Sequence, residues 1–330
     1  MLARKLFAMG ALVASAWAQS STGVAGPVAG FVFDKPSGAV RPMLGIPGAA
    51  YLGPAIASGV TAASSAPDGS AVLAVQANGK VAVYNGLQNA APAITTIAGA
   101  IAAPGRFAWT PTAGAVAIYS SASVQAQIVS GFPKLPSAGT PIDLSALPGP
   151  VTALACDGQH VIVGVSGDSG GVYLASTQTS PQRIAAAANP SAITLAGGSL
   201  FFADSQSGQI MQVESYAGTP AAVVFANDSS ISAPAGLQVS SDGARLFVAN
   251  AGNGKLVVYD IGSRSALESI VLRFMPTRLD RFGSPSVFLL NDTGNGPLYV
   301  VRDGGAGNTA VYFVPVLLNR HPLQAPIRRM

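Results

Sequence analysis

Residues 241–260, SDGARLFVANAGNGKLVVYD, carry the clearest turn and strand pattern of this chain. The segment Ser241-Asp242-Gly243 predicts a tight turn, and ARLFVAN, which follows it, predicts a β-strand. Asn253-Gly254 predicts a hairpin, because both residues tolerate the positive φ that a tight turn requires. KLVVYDI then predicts another strand. With PAGLQVS before this segment and ALESIVL after it, residues 234–272 predict four strands in about 40 residues, which is one blade of a β-propeller.

The same pattern recurs along the chain. A glycine returns at intervals of about 43 residues, a period typical of propeller blades. These glycines are Gly26, Gly69, Gly114, Gly158, Gly198, Gly243 and Gly283. Each precedes an apolar run that ends in a polar residue, at Asp34, Gln76, Ser120, Ser166, Asp204, Asn250 and Asn291. The predicted fold class is therefore all-β, a propeller of four-stranded blades, with seven blades favoured and six or eight as alternatives.

The repeat also sets approximate blade boundaries within one domain, residues 19–330. The blades lie near 26–59, 60–99, 106–131, 151–189, 190–226, 234–272 and 276–316. The first unit is irregular, because little sequence precedes VAGFVFD to supply a first strand. Either a strand from one terminus completes the blade at the other, or VAGFVFD and AVRPMLG are outer strands of a composite blade. The unit around Gly114 is weaker, because no glycine stands at its second turn.

The N-terminus predicts export. Arg4 and Lys5 precede the apolar stretch LFAMGALVASAWA, which ends in Ala16-Trp17-Ala18. A positive start, an apolar stretch shorter than the roughly 20 residues of a spanning helix, and a small-x-small site predict a signal peptide over 1–18, cleaved after Ala18. The mature chain would be periplasmic or extracellular, with no transmembrane segment.

Composition narrows the function classes. The chain has 330 residues, 49% hydrophobic and 10% charged, with 38 Gly and 24 Pro, which favours strands and turns over helices and disorder. Removing Arg4 and Lys5 lowers the formal net charge from +4 to +2. Export and this small charge argue against nucleic-acid binding. The last blade is more basic, and the arginines that could contact an anionic surface are Arg273, Arg278, Arg281 and Arg302.

A family resemblance adds to this interpretation. DGARLFVAN followed by GKLVVYD resembles the YVTN-type, lactonase-like repeat of bacterial seven-bladed propellers, closely in the sixth unit and partly in the second, fourth and fifth. The resemblance implies a propeller that is often extracytoplasmic. It carries little about activity, because such propellers include binding proteins, surface-layer proteins and a few enzymes.

Motifs for catalysis or metal binding are weak. Gly167-Asp168-Ser169-Gly170-Gly171 resembles the segment around the nucleophilic serine of trypsin-like proteases, but it occupies a turn of the repeat and the chain has only two histidines. Cys156 is alone and lies at the end of an apolar run, which is typical of a buried thiol. No cofactor is expected. Calcium is the one cation considered, at Asn291-Asp292-Thr293-Gly294-Asn295, where the alternative is an ordinary turn.

The polar residues that end the second strands remain the best binding candidates. If the blades close into a ring, these seven residues share one face, where they could contact a ligand or partner. The alternative is that they cap their own turns. We expect an exported, non-catalytic propeller that serves as a binding or scaffold module for a protein or a cell-envelope polymer. The alternative is a hydrolase or lactonase-type enzyme with its site at the central channel, although the mature chain has only two glutamates, Glu214 and Glu268.

Overall fold

The computed structural model describes residues 26–89, 92–294 and 296–316. These residues form seven antiparallel sheets, one for each blade of a β-propeller. The all-β fold and the favoured number of seven blades are therefore confirmed. The signal peptide predicted over 1–18 lies outside the described residues. The one helical element is a short 3-10 turn, Lys35–Ser37, within the described part of the chain.

The strands of the first four sheets follow chain order. The first sheet contains β1 (Val28–Asp34), β2 (Ala39–Ile46), β3 (Ala49–Leu52) and β4 (Ala57–Ser58). The second contains β5 (Val60–Ser65), β6 (Ala71–Gln76), β7 (Val81–Asn85) and β8 (Ala93–Thr96). The third contains β9 (Arg106–Trp109), β10 (Ala115–Ser120), β11 (Gln125–Ser130), β12 (Ser137–Ala138) and β13 (Ile142–Asp143). The fourth contains β14 (Val151–Cys156), β15 (Val161–Val165), β16 (Gly171–Ala175) and β17 (Gln182–Ala186).

The last three sheets have four strands each. The fifth contains β18 (Pro190–Ala196), β19 (Ser199–Asp204), β20 (Gln209–Glu214) and β21 (Ala221–Ala226). The sixth contains β22 (Pro234–Val239), β23 (Arg245–Asn250), β24 (Lys255–Asp260) and β25 (Ala266–Val271). The seventh contains β26 (Asp280–Arg281), β27 (Val287–Leu289), β28 (Leu298–Asp303) and β29 (Thr309–Val314).

Burial follows the position of a strand within its blade. Second strands such as β15 and β23 are buried at every residue, because neighbouring sheets cover both of their faces. Outermost strands such as β8 and β25 are largely exposed. Seven apolar clusters fill the spaces between the described sheets, one at each junction of adjacent blades. One of them joins the seventh sheet to the first, so the ring is closed.

The closing junction is made without an exchange of strands between the first and last sheets in the described part of the chain. The Thr293 hydroxyl donates to the Phe33 carbonyl at 2.8 Å and accepts the Lys35 N–H at 3.0 Å. On the opposite face, Gly283 packs directly against the backbone of Ala29. Val32 and Met43 of the first sheet share an apolar cluster with residues of the seventh.

The first blade has an unusual strand direction. The start of β1 lies beside Gly283 and its end beside Thr293, so β1 runs opposite to β26. This is the direction of a second strand, as the position of Asp34 in the repeat predicts. However, β1 lines the central channel, so the alternative that VAGFVFD is an outer strand is wrong. Strands β3 and β4 both pair with β2 and share the next position.

The third blade departs from the glycine pattern. At its first turn the residue with positive φ is Ala113 (60°), where the sixth blade has Gly243 (74°). At its second turn Val124 adopts a φ of 52°, the place taken by Gly254 (61°) in the sixth blade. The blade continues beyond the predicted 106–131, because β12 and β13 both pair with β11. The weak repeat around Gly114 is therefore a complete sheet.

Candidate functional site

The polar residues that end the second strands share one face of the ring, which we call the rim face. In the pairing of inner and second strands, Val60 lies opposite Gln76, Pro190 opposite Asp204 and Pro234 opposite Asn250. In these blades the inner strand therefore begins at this face, next to the end of its second strand. Asp34 lies on the same face, because the next residue, Lys35, is hydrogen-bonded to Thr293.

Four of these side chains, those of Asp34, Asp204, Asn250 and Asn291, are hydrogen-bonded to neighbouring parts of the chain. Asp34, Ser120, Asp204 and Asn250 are buried. Asp204 accepts the backbone N–H groups of Ala188, Asn189 and Gln206 at 3.3, 3.0 and 3.1 Å. Asn250 accepts the N–H of Ser232, and Asn291 that of Tyr299. A partner at this face would therefore contact the loops that the buried side chains hold, while Gln76, Ser166 and Asn291, which are partly exposed, remain candidates for direct contact.

An open groove of about 750 Å³ lies on the rim face between the fourth and fifth blades. Its walls include the turn Ser166–Gly170 and the side chains of Arg183 and Gln206. Asp168, Arg183 and Gln206 are exposed. The segment 187–189 also lines the groove and is held by Asp204. The groove thus combines exposed polar side chains with a backbone fixed by hydrogen bonds.

The central channel opens at the same face. Its mouth encloses about 550 Å³ and is lined by inner-strand residues of all seven blades. Many are small, such as Ala63, Ser191 and Gly236. A narrower space of about 160 Å³ continues deeper, where Trp109 lies in the wall and donates its indole N–H to Ser64 at 3.0 Å.

The charges at the mouth are mostly paired. Arg278 binds both Asp280 and Asp292, the two carboxylates of the mouth lining. Burial alone would lower the pKa of Arg278, and the two carboxylates reverse this and raise it above its usual value. Two carboxylates bound to one guanidinium do not form an acid–base pair. In the described residues, no group of three or more His, Cys, Asp or Glu side chains is placed to hold a metal ion.

The protease-like segment does not meet a histidine among the residues that the structure describes, and His321 lies outside them. His160 precedes β15 and Ser169 follows it, so the two residues lie at opposite ends of this strand. His160 instead bonds Asp157 through Nδ1 at 2.9 Å, and the Tyr216 hydroxyl donates to the same carboxylate at 3.1 Å. Cys156 is buried, and burial raises the pKa of its thiol to about 12. The thiol is therefore protonated and unsuited to nucleophilic attack.

The arginines of the last blade do not form one patch. Arg278 is bound to its two aspartates, and Arg281 donates to the carbonyl oxygens of Pro285 and Val239. Arg273 and Arg302 are exposed. They lie toward opposite faces, because Arg273 follows an outer strand that ends at the rim face and Arg302 is near the far end of β28. Contact with an anionic surface remains a prediction for these two residues.

In the segment considered for calcium, residues 291–295, the side-chain oxygens of Asn291, Asp292 and Thr293 already form hydrogen bonds or ion pairs within the protein. The Asn291 side chain bonds the backbone of Pro297 and Tyr299, and Asp292 binds Arg278. Thr293 bridges to the first blade. Asn295 lies outside the described residues. The segment acts in ring closure, and calcium remains an untested expectation.

Hydroxyl groups that join blades at the channel were not expected from the sequence. The Thr152 hydroxyl donates to the Pro190 carbonyl, and the Ser191 hydroxyl donates to the Pro234 carbonyl, each at 2.5 Å. Both donors lie at the bulge that interrupts the start of an inner strand. A Ser or Thr second in the strand is the signal that could have indicated them.

Comparisons with known proteins support the fold alone. No protein-family model matches the chain, and no curated protein sequence matches it. A functionally unknown protein from Desulfotomaculum acetoxidans is similar in structure, with a TM-score of 0.54 and 11% identity over 73% of this chain and 77% of that one. A chain of a nidogen/laminin complex has a TM-score of 0.47 and 10% identity over 73% of this chain and 92% of that one, too low to carry an argument. The chain is a seven-bladed β-propeller.

The described residues hold no helix with the length and apolar character that crossing a bilayer requires.

Proposed function

We propose that this chain is an exported, non-catalytic propeller that binds a protein or a polymer of the cell envelope through its rim face. The observation that carries the proposal is the groove between the fourth and fifth blades. It is open, polar and about 750 Å³ in volume. Loops on a rigid scaffold are the common place for recognition, and a surface ordered before binding loses less entropy on association.

The chemistry of the groove favours a polar partner. Asp168 and Arg183 are both exposed, and no ion pair joins them in the described structure. Each is available to a partner that presents the opposite charge. Exposed charges at the edge of an interface contribute to specificity and association rate more than to affinity.

We also propose that the chain is exported and that it is related to the YVTN-type propellers. The N-terminal segment supports secretion with cleavage after Ala18, and the sixth repeat supports relationship to the YVTN-type propellers. Mass spectrometry of the protein recovered from the periplasm or medium tests the first part. A mature chain that begins at Gln19 is expected, and an uncleaved chain retained in the cytoplasm would contradict export.

The binding proposal is tested by capture with matched variants. Purified protein is immobilised and exposed to a solubilised envelope fraction, and bound components are identified by mass spectrometry. The double variant Arg183→Glu with Gln206→Glu alters the groove. Its control, Arg264→Glu with Gln159→Glu, makes the same chemical changes at exposed residues on the opposite face. A component captured by the wild type and the control but lost by the groove variant supports the proposal, and equal capture by all three contradicts it.

A further inference from the structure

We propose that the central channel binds an organic anion, with its apolar body inside the channel and its carboxylate at Arg106. This ligand site goes beyond the proposed rim-face function and uses different residues. Loss of one would leave the other intact, because the groove between the fourth and fifth blades shares no lining residue with the channel mouth.

Apolar side chains form a belt around the channel. Phe33, Phe107, Leu154 and Ile193 come from the first, third, fourth and fifth blades and are partly buried. All four line both the mouth and the deeper space, so the belt lies where the two meet. The mouth, about 550 Å³ in volume, combines this apolar belt with charged and other polar side chains, and its size lies within the roughly 300–1,000 Å³ typical of small-ligand sites.

The charges at the mouth favour an anion over a cation or a neutral ligand. The lining includes three cations, Lys35, Arg106 and Arg278, and two carboxylates. Arg278 binds both carboxylates. Lys35 and Arg106 make no ion pair with any residue that the structure describes, which leaves the mouth with an excess of positive charge.

Arg106 is better placed than Lys35 to fix a carboxylate. Its Nη1 donates to the carbonyl oxygen of Thr152 at 2.9 Å, a contact between the third and fourth blades that orients the guanidinium. The remaining N–H groups of an oriented guanidinium match the two oxygens of a carboxylate. Arg106 and Phe107 are consecutive residues of β9 and both line the mouth, so the charge lies close to the apolar belt.

The probe is octanoate, compared with octanamide of the same length and without the charge. Isothermal titration measures affinity, and tryptophan fluorescence reports the location. The chain has two tryptophans, Trp17 and Trp109, so Trp17→Phe in the full chain leaves only the channel tryptophan. Octanoate is expected to change Trp109 emission and to bind about 10- to 100-fold more tightly than octanamide, as a hydrogen bond to a charged group allows.

Three variants make the result specific. Arg106→Gln should remove the preference for octanoate and leave octanamide binding unchanged. Ala63→Phe should fill the channel and abolish binding of both probes. Arg273→Gln, which removes an exposed arginine outside the channel, should change neither, and a thermal melt of each variant confirms that it is folded. Equal affinity for the two probes, binding that survives Ala63→Phe, or no binding at about 1 mM would overturn the proposal.

Discussion

Gly283→Ala should destabilise the ring far more than the equivalent change one blade earlier. Gly283 and Gly243 occupy the first turn of the seventh and sixth blades, with φ of +65° and +74°. A Cβ at Gly243 meets nothing within 4 Å. A Cβ at Gly283 would overlap the carbonyl oxygen of Ala29 and lie 2.8 Å from its carbonyl carbon. The two variants therefore share the backbone strain and differ in the contact that closes the ring.

The magnitudes follow from this difference. A left-handed conformation costs an alanine about 1–2 kcal/mol at either site. At Gly283 the first and seventh blades must also separate, because the obstacle is backbone and cannot rotate away. Overpacking adds about 1–3 kcal/mol, and weakening the Thr293 bridge adds about 1 kcal/mol. We expect a loss of about 1–2 kcal/mol for Gly243→Ala and about 3–6 kcal/mol for Gly283→Ala.

Urea unfolding followed by circular dichroism gives both values. Limited proteolysis adds a local readout, because a loosened junction should expose the first blade before the others. Thr293→Val, which removes the bridge on the rim face, should cost less after Gly283→Ala than in the wild type, since the two changes affect one junction. Equal destabilisation by the two alanine variants, within about 0.5 kcal/mol, would refute the account of ring closure.

Three further outcomes are expected. Arg245→Met should lower the free energy of unfolding by about 3–5 kcal/mol and the unfolding temperature by about 5–8 °C, because it leaves Asp303 buried without the guanidinium that it contacts at 2.6 Å. Adding Asp303→Leu should recover most of this loss, and a double variant as unstable as Arg245→Met would contradict the expectation. Val124→Gly should raise the unfolding free energy by about 1 kcal/mol in the same urea assay, because Val124 holds a φ of 52° that suits glycine, and a loss of stability would count against that interpretation. Burial, and after it the Asp157 carboxylate, raise the pKa of Tyr216 to about 12, so its contribution is complete below a pH of about 10 and is lost as the pH rises toward about 12. Tyr216→Phe should flatten the alkaline decline of the urea midpoint, and an unchanged profile would show that this hydroxyl does not titrate with unfolding.

The blade architecture was predictable because it depends on local chemistry. Asp242-Gly243 and Asn253-Gly254 favour turns through their own conformational preferences, and the short β-branched apolar runs that flank them favour buried strands. The prediction is weaker where a residue other than glycine adopts the positive φ of a turn. Val124 adopts a glycine-like conformation without being glycine, so the second turn of the third blade was not recognised from its sequence.

The candidate sites were less predictable because they depend on packing between blades. The sequence places Asp204 at the end of a strand, but only the folded loop shows that its carboxylate is buried and holds residues 188–189. Likewise, Phe107 and Ile193 belong to different blades, 86 residues apart in the printed sequence, and the ring alone brings them to one channel. Arg278 illustrates a similar limit within one blade: Asp280 is its near neighbour in sequence, but only the folded seventh blade brings Asp292 to the same guanidinium.

Hydrogen exchange on the complex shows whether the chain recognises its partner through the rim face. The chain is measured alone and with the envelope component that it captures. We expect slower exchange in 166–170 and 187–189, which line the groove between the fourth and fifth blades. Protection confined to opposite-face turns such as 158–160 and 261–265, with the groove unchanged, would contradict this expectation.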